Sequence, residues 1–359
     1  MNISTKIKWI LCLGAVALFA FSCTHQLSKS PTADKVVIYP EPPSEPKLQY
    51  LTSFSTSTDF EGEQSAFNKF VFGLKEPLPI VKPYGITVKK NKIYICDTGI
   101  GGLEILDIAN KTFEYFIPGG MGKLKLPINS HVDEAGNLYI ADGNRKQVVI
   151  FDTELKFKHA ITLKEDAKPT DVFTDNEKIW IAAIDNHEIQ VFNKSDYSFS
   201  ESFPKKNSSG DGMLYQPANL FVDDSLIYIS DIGACKIIQY DKKMDFQNSF
   251  GSAGRGLGQF TRPKGISADK EGFIYVVDAA FENVQIFNPE GQLMMNFGGT
   301  YSGPGGMWLP ADVTVDYQNR DYFIPYVNSS FHLEYLVFVS NQYGPDKISV
   351  YGFVSELKK

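Results

Sequence analysis

The sequence has few of the residues that build haem or zinc centres. Its 359 residues include only five His and four Cys. The motif Cys-x-x-Cys-His is absent, so the chain is predicted to bind no c-type haem itself. The His residues of the central region fall at different places in the repeats described below, so they predict no zinc cluster.

The sequence has no excess of positive charge, and long apolar segments are scarce as well. The net charge is −7, which argues against a nucleic-acid partner, because proteins that bind nucleic acids present basic surfaces. An uncharged apolar run from Trp9 to Phe21 is shorter than the roughly 20 residues that a membrane-spanning helix needs. Helical periodicity is almost absent from the rest of the chain, which favours an all-β fold.

The first residues have the pattern of an export signal. Lys6 and Lys8 precede the apolar run, and small residues follow it. The end of the run, residues 20–23, reads Ala-Phe-Ser-Cys and resembles a bacterial lipobox, in which a peptidase cuts before a cysteine that carries a diacylglyceride. We therefore predict a lipoprotein signal peptide over residues 1–22 and lipid attachment at Cys23, because a cysteine thiolate is nucleophilic enough to take the lipid. An ordinary secretory signal with a chance cysteine is the alternative.

A tether is predicted to follow the lipidated cysteine, over residues 23–47. The segment is rich in Pro, Ser, Lys and Glu and has too little apolar content to form a core, so it should be extended and mobile. Thr24 stands where the resembled lipoproteins of the inner membrane carry Asp. The resemblance thus implies an exported protein, lipid-anchored to the cell envelope and most consistent with the outer membrane.

The body of the chain contains a repeat of about 45 residues. In each copy a proline precedes a short apolar strand, a polar turn and a second strand. The prolines are Pro83, Pro127, Pro169, Pro217, Pro263 and Pro310. A third strand and a looser fourth strand follow, rich in the β-branched and aromatic residues typical of strands. Six units of four strands predict an all-β fold, a six-bladed β-propeller of four-stranded antiparallel blades over residues 48–359.

Both ends of the chain are expected to contribute to the last blade. The sequence at 347–353 matches a third strand and is followed by no fourth one, whereas Tyr50–Phe54 matches a fourth strand. The N-terminal strand should therefore complete the last blade and close the ring. The second strand of that blade is assigned to 321–325, and 328–345 to an inserted hairpin. A short helix is expected at 64–72, with Phe67, Phe70 and Val71 packed on the propeller.

The repeats resemble NHL repeats. The likeness is carried by Leu-Pro-x-x-x-x-Val-Asp-x-x-Gly-Asn-Leu-Tyr-Ile-Ala-Asp-Gly-Asn-Arg at 126–145 and by the matching segment at 262–278. The whole arrangement is similar to lipid-anchored NHL proteins of bacteria that respire metals. The resemblance implies a protein partner, with a place beside envelope complexes for extracellular electron transfer.

One ring of positions could bind a metal ion. The second residue after each proline begins an innermost strand and should face the central channel. The six residues are Gly85, Asn129, Asp171, Asn219, Gly265 and Asp312. Carboxylate and amide oxygens from Asn129, Asp171, Asn219 and Asp312 could hold Ca²⁺, as in the similar lactonase-like propellers, although their Glu is missing here. The alternative is that these residue types only start strands well.

Two other sets are predicted to be structural. The Asp that ends the second strand in four repeats should accept backbone N–H groups of the following turn; these are Asp97, Asp142, Asp231 and Asp278. Cys96 and Cys235 belong to opposite blades, too far apart for a disulfide, and are predicted to be free thiols.

Two functions remain open. The first is a membrane-anchored, non-catalytic binding or scaffold propeller that engages a protein or extracellular ligand and needs no cofactor. The second is a divalent-metal-dependent hydrolase or lactonase, with its site at the mouth of the channel. The fold alone does not separate them, because propellers host both kinds of function.

Overall fold

A computed structural model describes residues 36–205 and 210–357. The predicted signal peptide, Cys23 and most of the predicted tether lie outside the described residues. Within the described part, no helix is both long enough and apolar enough to cross a bilayer.

Six antiparallel sheets form the six blades, as predicted. Each innermost strand begins at one of the repeat prolines: β3 (Pro83–Lys89), β7 (Pro127–Val132), β11 (Pro169–Thr174), β15 (Pro217–Val222), β19 (Pro263–Ala268) and β23 (Pro310–Asp316). The pairing of each of these strands with its neighbour is irregular directly after the proline. Proline is tolerated there because it can fill the first position of a strand, where it interrupts no ladder.

The outer strands follow in order across each blade. The second strands are β4 (Lys92–Asp97), β8 (Leu138–Asp142), β12 (Lys178–Ala183), β16 (Leu226–Asp231), β20 (Ile274–Asp278) and β24 (Phe331–Asn341). The third strands are β5 (Gly102–Asp107), β9 (Gln147–Phe151), β13 (Glu188–Asn193), β17 (Lys236–Asp241), β21 (Asn283–Phe287) and β25 (Ile348–Glu356). The outermost strands are β6 (Thr112–Phe116), β10 (Phe157–Thr162), β14 (Phe199–Phe203), β18 (Phe246–Phe250), β22 (Leu293–Gly298) and β2 (Leu48–Phe54).

The N-terminal strand closes the ring, as predicted. β2 pairs with β25 from the other end of the chain, with Leu48 opposite Phe353 and Phe54 opposite Ile348. A further two-residue strand, β1 (Ile38–Tyr39), pairs with β2 and makes the last sheet five-stranded.

The hydrophobic core is divided into six clusters, each shared by two neighbouring blades. Between the last and first blades, for example, Phe54 and Phe338 pack with Ile86 and Ile93. A single sheet has no partner of its own for its apolar faces, so each blade is stabilised by the next one in the ring.

The second strand of the last blade is not where the sequence placed it. Residues 321–325 form no strand, because Arg320–Phe323 is a short helix, α3, followed by a 3-10 turn at Ile324–Tyr326. The second strand is instead β24, which lies inside the segment assigned to an inserted hairpin. Pro325 cannot donate a ladder hydrogen bond, whereas 335–339 is a continuous buried apolar run.

The packed part of the chain begins at Val37 and not at residue 48. Tyr39 lies against the rings of Phe297 and Tyr351, and its hydroxyl bonds that of Tyr301 at 2.5 Å. Residues 37–47, which the sequence placed in the tether, therefore form a clasp on the last blade. Apolar and aromatic side chains at 37–39 explain the difference. They pack on the last blade, although the prolines of this segment suggested an extended tether.

Two short helices connect β2 to β3: α1 (Ser57–Glu61) and α2 (Ala66–Phe72). Phe60 of α1 is buried and stacks with Tyr322. The helix expected at 64–72 exists as α2, but its packing was predicted wrongly, because Phe67, Phe70 and Val71 are exposed to solvent.

The ring has two faces, and each is formed by a different set of loops. We define the top face as the loops that lead into the innermost strands, including 117–126, 251–262 and 299–309, together with the loops between second and third strands. The bottom face consists of the loops after the innermost strands and the loops between third and outermost strands. β1 runs in the direction of an innermost strand, so Ile38 marks its end nearer the top face.

Candidate functional site

The predicted ring of polar residues lies on the innermost strands, deep in the central channel. Asn129, Asp171 and Asp312 line one cavity and are buried. Asn219 has the equivalent position on β15 and is buried too, but its amide nitrogen has no hydrogen-bond partner in the described part of the chain.

The two carboxylates of the ring join neighbouring blades. Asp171 accepts the backbone N–H of Val172 with one oxygen and that of Leu220, in the next blade, with the other, both at 2.8 Å. Asp312 does the same with Val313 at 2.9 Å and, across the ring closure, with Ile86 at 2.9 Å. Each oxygen of both acids therefore has a backbone donor, which supports a structural role.

The glycines of the ring leave space for the side chains beside them. A Cβ at Gly85 would lie 2.1 Å from Oδ1 of Asn129, and a Cβ at Gly265 would lie 2.4 Å from Oδ1 of Asp312. The alternation of glycine with longer residues thus follows from close packing between adjacent blades. Among the described residues there is no group of three or more His, Cys, Asp or Glu placed to hold a metal ion.

Burial dominates the electrostatics of the channel. It raises the pKa of Asp312 to about 7, although the N–H groups of Ile86 and Val313 oppose this shift. The pKa of Asp171 is also raised well above its usual range, first by burial and then by the charge of Asp312. Burial thus favours the neutral form of both carboxyls, because a charge in the channel loses its hydration.

A buried lysine lies at the beginning of β19, and sequence reasoning missed it. Lys264 is almost fully buried, and its ammonium lies 4.3 Å from the centre of the Tyr84 ring. Burial and the nearby Arg262 lower its pKa to about 7. A charged residue at the start of a buried strand, between a proline and a glycine, was the available signal.

The cavity of the channel opens towards the bottom face, where Asp224 and Lys270 line it. Its volume is about 630 Å³, within the usual range of ligand sites, about 300–1,000 Å³. His131, Phe173 and Phe221 form one wall, with ring centroids 4.1 Å apart for the first pair and 5.5 Å for the second. Burial lowers the pKa of His131 to about 3, so this ring is neutral and acts as an aromatic surface.

A second hollow of about 700 Å³ adjoins the first. The two share five lining residues: Lys89, His131, Phe173, Asp223 and Asp224. Lys194 and Lys242 stand on its far side, where Lys194 pairs with Asp133 at 3.2 Å and Lys242 with Asp175 at 3.3 Å. Together the hollows form one long concave surface with an aromatic centre and charges of both signs.

The acids that end the second strands accept turn N–H groups, as predicted. Asp142, for example, accepts the N–H of Arg145 in the turn at 3.0 Å, and also those of Lys125 and Leu126 at 2.6 and 3.0 Å. The acids thus tie each turn to the loop that enters the same blade. Cys96 is buried and Cys235 half-buried, and both are free thiols.

Comparison with known proteins supports the fold and leaves the family open. No family model matches the chain. A segment of 43 residues is 54% identical to the E3 ubiquitin-protein ligase TRIM71 of Mus musculus and 51% identical over the same length to that of Rattus norvegicus. It covers 12% of this chain and 5% of each relative, so the likeness reaches about one repeat.

Solved propellers match most of the described body. A structural-genomics protein of unknown function from Bacteroides thetaiotaomicron has a TM-score of 0.57 at 16% identity, over 77% of this chain and 70% of its own. A streptogramin B lyase has a TM-score of 0.52 at 14% identity, and the match covers 79% of this chain and 85% of the lyase. A chain of the nidogen/laminin complex has a TM-score of 0.51 at 12% identity, and the match covers 62% of this chain and 82% of that one. At these identities the likeness shows the six-bladed propeller fold alone.

Proposed function

We propose that the protein is a non-catalytic binding propeller of the cell envelope, held at a membrane by a lipid on Cys23. Its two adjoining hollows on the bottom face receive a polypeptide segment of a protein partner. The observation that carries this proposal is the continuity of the hollows, which share Lys89, His131, Phe173, Asp223 and Asp224. A small molecule would fill one hollow, whereas an extended ligand fits both.

The chemistry of the surface favours a polypeptide as the ligand. Phe173 and His131 offer apolar ring surface at the centre, Asp224 offers an exposed carboxylate at the rim, and Lys89 and Lys242 offer cations. A polypeptide carries groups that complement all three, while a neutral glycan would leave both signs of charge unused.

The tether is supported by the sequence of the N-terminus. A short apolar run ends in a lipobox-like segment at Cys23, and the next strongly apolar chain is the clasp that begins at Val37. Envelope attachment, an outer-membrane location and a place beside electron-transfer complexes belong to this proposal through the resemblance to lipid-anchored NHL proteins.

Metabolic labelling tests the tether. Cells that express the full chain are fed an alkyne fatty acid, and the labelled protein is detected after click chemistry. We expect label on the wild type and none on Cys23→Ser, with Cys12→Ser as the matched control that keeps its label. An unlabelled wild type would refute the lipid anchor.

Photo-crosslinking tests the binding surface. Benzoylphenylalanine replaces Asp224 at the rim of both hollows or Glu290, which lies in a bottom-face turn outside them. After irradiation of intact cells, we expect discrete protein adducts from position 224 that diminish when Phe173→Ala is added. Adducts that are equal at the two positions, or absent from 224, would contradict the proposal.

A metal-dependent hydrolase is the second candidate function. It is favoured by the convergence of Asn129, Asp171 and Asp312 on one cavity. In that case calcium would have to compete with the backbone N–H groups that these carboxylates accept, and the calcium experiment in the Discussion separates the two functions.

A further inference from the structure

The top end of the central channel carries cations and no acids. Twelve residues stand directly before or after the six repeat prolines, where the innermost strands begin, and none of them is Asp or Glu. Those before the prolines are Lys82, Leu126, Lys168, Gln216, Arg262 and Leu309, and those after them are Tyr84, Ile128, Thr170, Ala218, Lys264 and Ala311. Positive charge at this end of the channel can therefore be balanced only by groups from elsewhere.

Lys264 is the buried member of this set of cations. The residue is only 1% exposed, yet its ammonium has neither a hydrogen-bond acceptor nor an ion-pair partner among the described residues. The ring of Tyr84 lies against it, with 4.3 Å from Nζ to the ring centre. Buried ammonium groups are normally paired, because the charge loses its hydration. Lys264 thus lacks a counter-charge in a place where a charge is costly.

Two more cations lie within electrostatic reach of Lys264. Burial lowers the pKa of Lys264 most, and the charges of Arg262 and Lys82 lower it further. Arg262 is exposed, and the ammonium of Lys82 lies 5.4 Å from the ring centre of Tyr343. Within residues 36–205 and 210–357 neither cation forms an ion pair. Unbalanced positive charge from the first and fifth blades is therefore concentrated at one place.

The third blade provides a contrast. Lys168 has the same place before its proline as Lys82 and Arg262, but it forms an ion pair with Asp185 at 3.3 Å. The acid of the channel that acts on Lys264 is Asp312, whose charge opposes the lowering of the lysine pKa. Both oxygens of Asp312 accept backbone N–H groups instead of the ammonium. The cations of the first and fifth blades therefore remain without a partner.

The burial of Lys264 limits the size of a ligand. The ammonium nitrogen is not among the unpartnered side-chain atoms that are fully buried in the described chain, so it keeps some contact with solvent. Because the residue is so little exposed, only a compact group can reach this nitrogen. The place lies at the other end of the channel from the two hollows, so an inference about it is independent of the proposed function.

We propose that the top mouth of the channel binds a small oxyanion of the phosphate class, held by the ammonium groups of Lys264 and Lys82 and by the guanidinium of Arg262. Three cations suit an anion with two or more charges. The fork of a guanidinium can bond two oxygens of such an anion at once, while each ammonium acts as a point charge.

Isothermal titration calorimetry of the purified full chain with inorganic phosphate tests the site. We expect one phosphate per chain, with an affinity that falls about tenfold or more in Lys264→Met and in Arg262→Gln, because each variant loses a charge-assisted hydrogen bond. Lys168→Gln is the matched control, since this lysine is already paired, and should change the affinity by less than about twofold. Acetate, which has a single charge, should bind about tenfold more weakly than phosphate.

Sulfate provides a readout that a purely structural role of Lys264 would not change. Sulfate does not titrate near neutral pH, whereas the pKa of Lys264 is about 7. An anion that bonds the ammonium should therefore make the protein take up a proton at about pH 8. Titrations in two buffers of different ionisation enthalpy measure this uptake. We expect it in the wild type and not in Lys264→Met.

The other groups beside Lys264 are separated from this signal. Burial raises the pKa of Tyr84 to about 12, so this residue stays neutral at about pH 8. Burial raises the pKa of Asp312 to about 7, in the same range as that of the lysine. Asp312→Asn is therefore measured in parallel and should keep the proton uptake.

Each measurement can overturn the proposal. An absence of phosphate binding at millimolar concentration, or binding that Lys264→Met and Arg262→Gln leave unchanged, would contradict the site. Sulfate binding without proton uptake would show that the ammonium of Lys264 does not hold the anion. If Lys264→Met fails to fold, Arg262→Gln provides the same test, because it alters an exposed side chain.

Discussion

The carboxylate of Asp312 accepts the backbone N–H of Ile86 at 2.9 Å, and this hydrogen bond joins the last blade to the first. The Ser340 hydroxyl donates to the Tyr84 carbonyl across the same junction. Ring closure thus depends on side chains of the central channel as well as on the outermost strand.

Asp312→Ala is expected to destabilise the ring. The substitution leaves the N–H groups of Ile86 and Val313 without their acceptor in a buried place, and each such loss costs about 1–3 kcal/mol. We expect the free energy of unfolding in urea to fall by about 3 kcal/mol, and by less in Asp312→Asn, which keeps one acceptor oxygen. Glu290→Ala, at an exposed turn, is the control and should change it by less than about 0.5 kcal/mol.

Asp312 and Lys264 should contribute opposite slopes to the pH dependence of stability, one below and one above pH 7. The pKa of Asp312 is raised to about 7 in the folded state, against about 3.9 when unfolded, so the folded state binds more protons and stability falls as pH rises from about 4 to 7. The pKa of Lys264 is lowered to about 7, against about 10.4 when unfolded, so stability rises again above pH 7.

Urea unfolding at a series of pH values checks this profile. Asp312→Asn should flatten the acid limb, and Lys264→Met should flatten the alkaline limb, each by up to about 4 kcal/mol. Variants that leave both slopes unchanged would be incompatible with the neutral forms of these buried groups.

Gly85→Ala tests the packing between the first and second blades. The new Cβ would lie 2.1 Å from Oδ1 and 2.6 Å from Cα of Asn129. Overpacking of this kind costs about 1–3 kcal/mol, measured as the free energy of unfolding. Asn129→Ala in the same chain should restore only part of the loss, since the backbone contact remains. Gly119→Ala is the matched control, because nothing lies within 4 Å of the Cβ that it would add and the φ of this residue is −100°. If Gly119→Ala lowered the free energy of unfolding as much as Gly85→Ala, the packing argument would be contradicted.

Calcium should leave the melting temperature of the protein unchanged. Both oxygens of Asp171 and both of Asp312 accept backbone N–H groups. Few oxygen atoms of the channel are therefore free to bind a calcium ion. A specific site at 100 times its dissociation constant would add about 2.7 kcal/mol of stability. Differential scanning fluorimetry in millimolar Ca²⁺ and in EGTA measures the melting temperature in the two conditions. A stabilisation that Asp171→Asn abolishes, and that Asp196→Asn at an exposed turn keeps, would favour the hydrolase.

The regular part of the fold could be predicted from the sequence because it rests on local signals. A proline before each innermost strand and an acid after most second strands recur at a fixed spacing, and each has a local physical cause. The last blade was misassigned where such signals fail, since residues 321–325 resemble a strand until the helical turn at Arg320–Phe323 and the proline are considered. The exposure of α2 could not be predicted either, because periodicity defines an apolar face without showing what covers it.

The candidate site was predicted only in part. Asn129, Asp171 and Asp312 line one cavity. Asp171 also reaches the backbone of Leu220, 49 residues away, and no pattern in the sequence indicates that contact. The aromatic wall of His131, Phe173 and Phe221 likewise joins three blades. Lys264 and Tyr84 meet although they belong to different blades, and the sequence indicates only that a charge stands at the start of a buried strand, not what it contacts.

The closing strand also determines the order in which the molecule can be completed. β2 is among the first segments to be synthesised, yet its partner β25 is the last strand of the chain. Until β25 has been made, β2 lacks the strand with which it pairs in the last blade, and contacts of such long sequence separation form slowly. Until then the early strand has an unpaired edge, and such an edge can pair with other chains unless it is shielded.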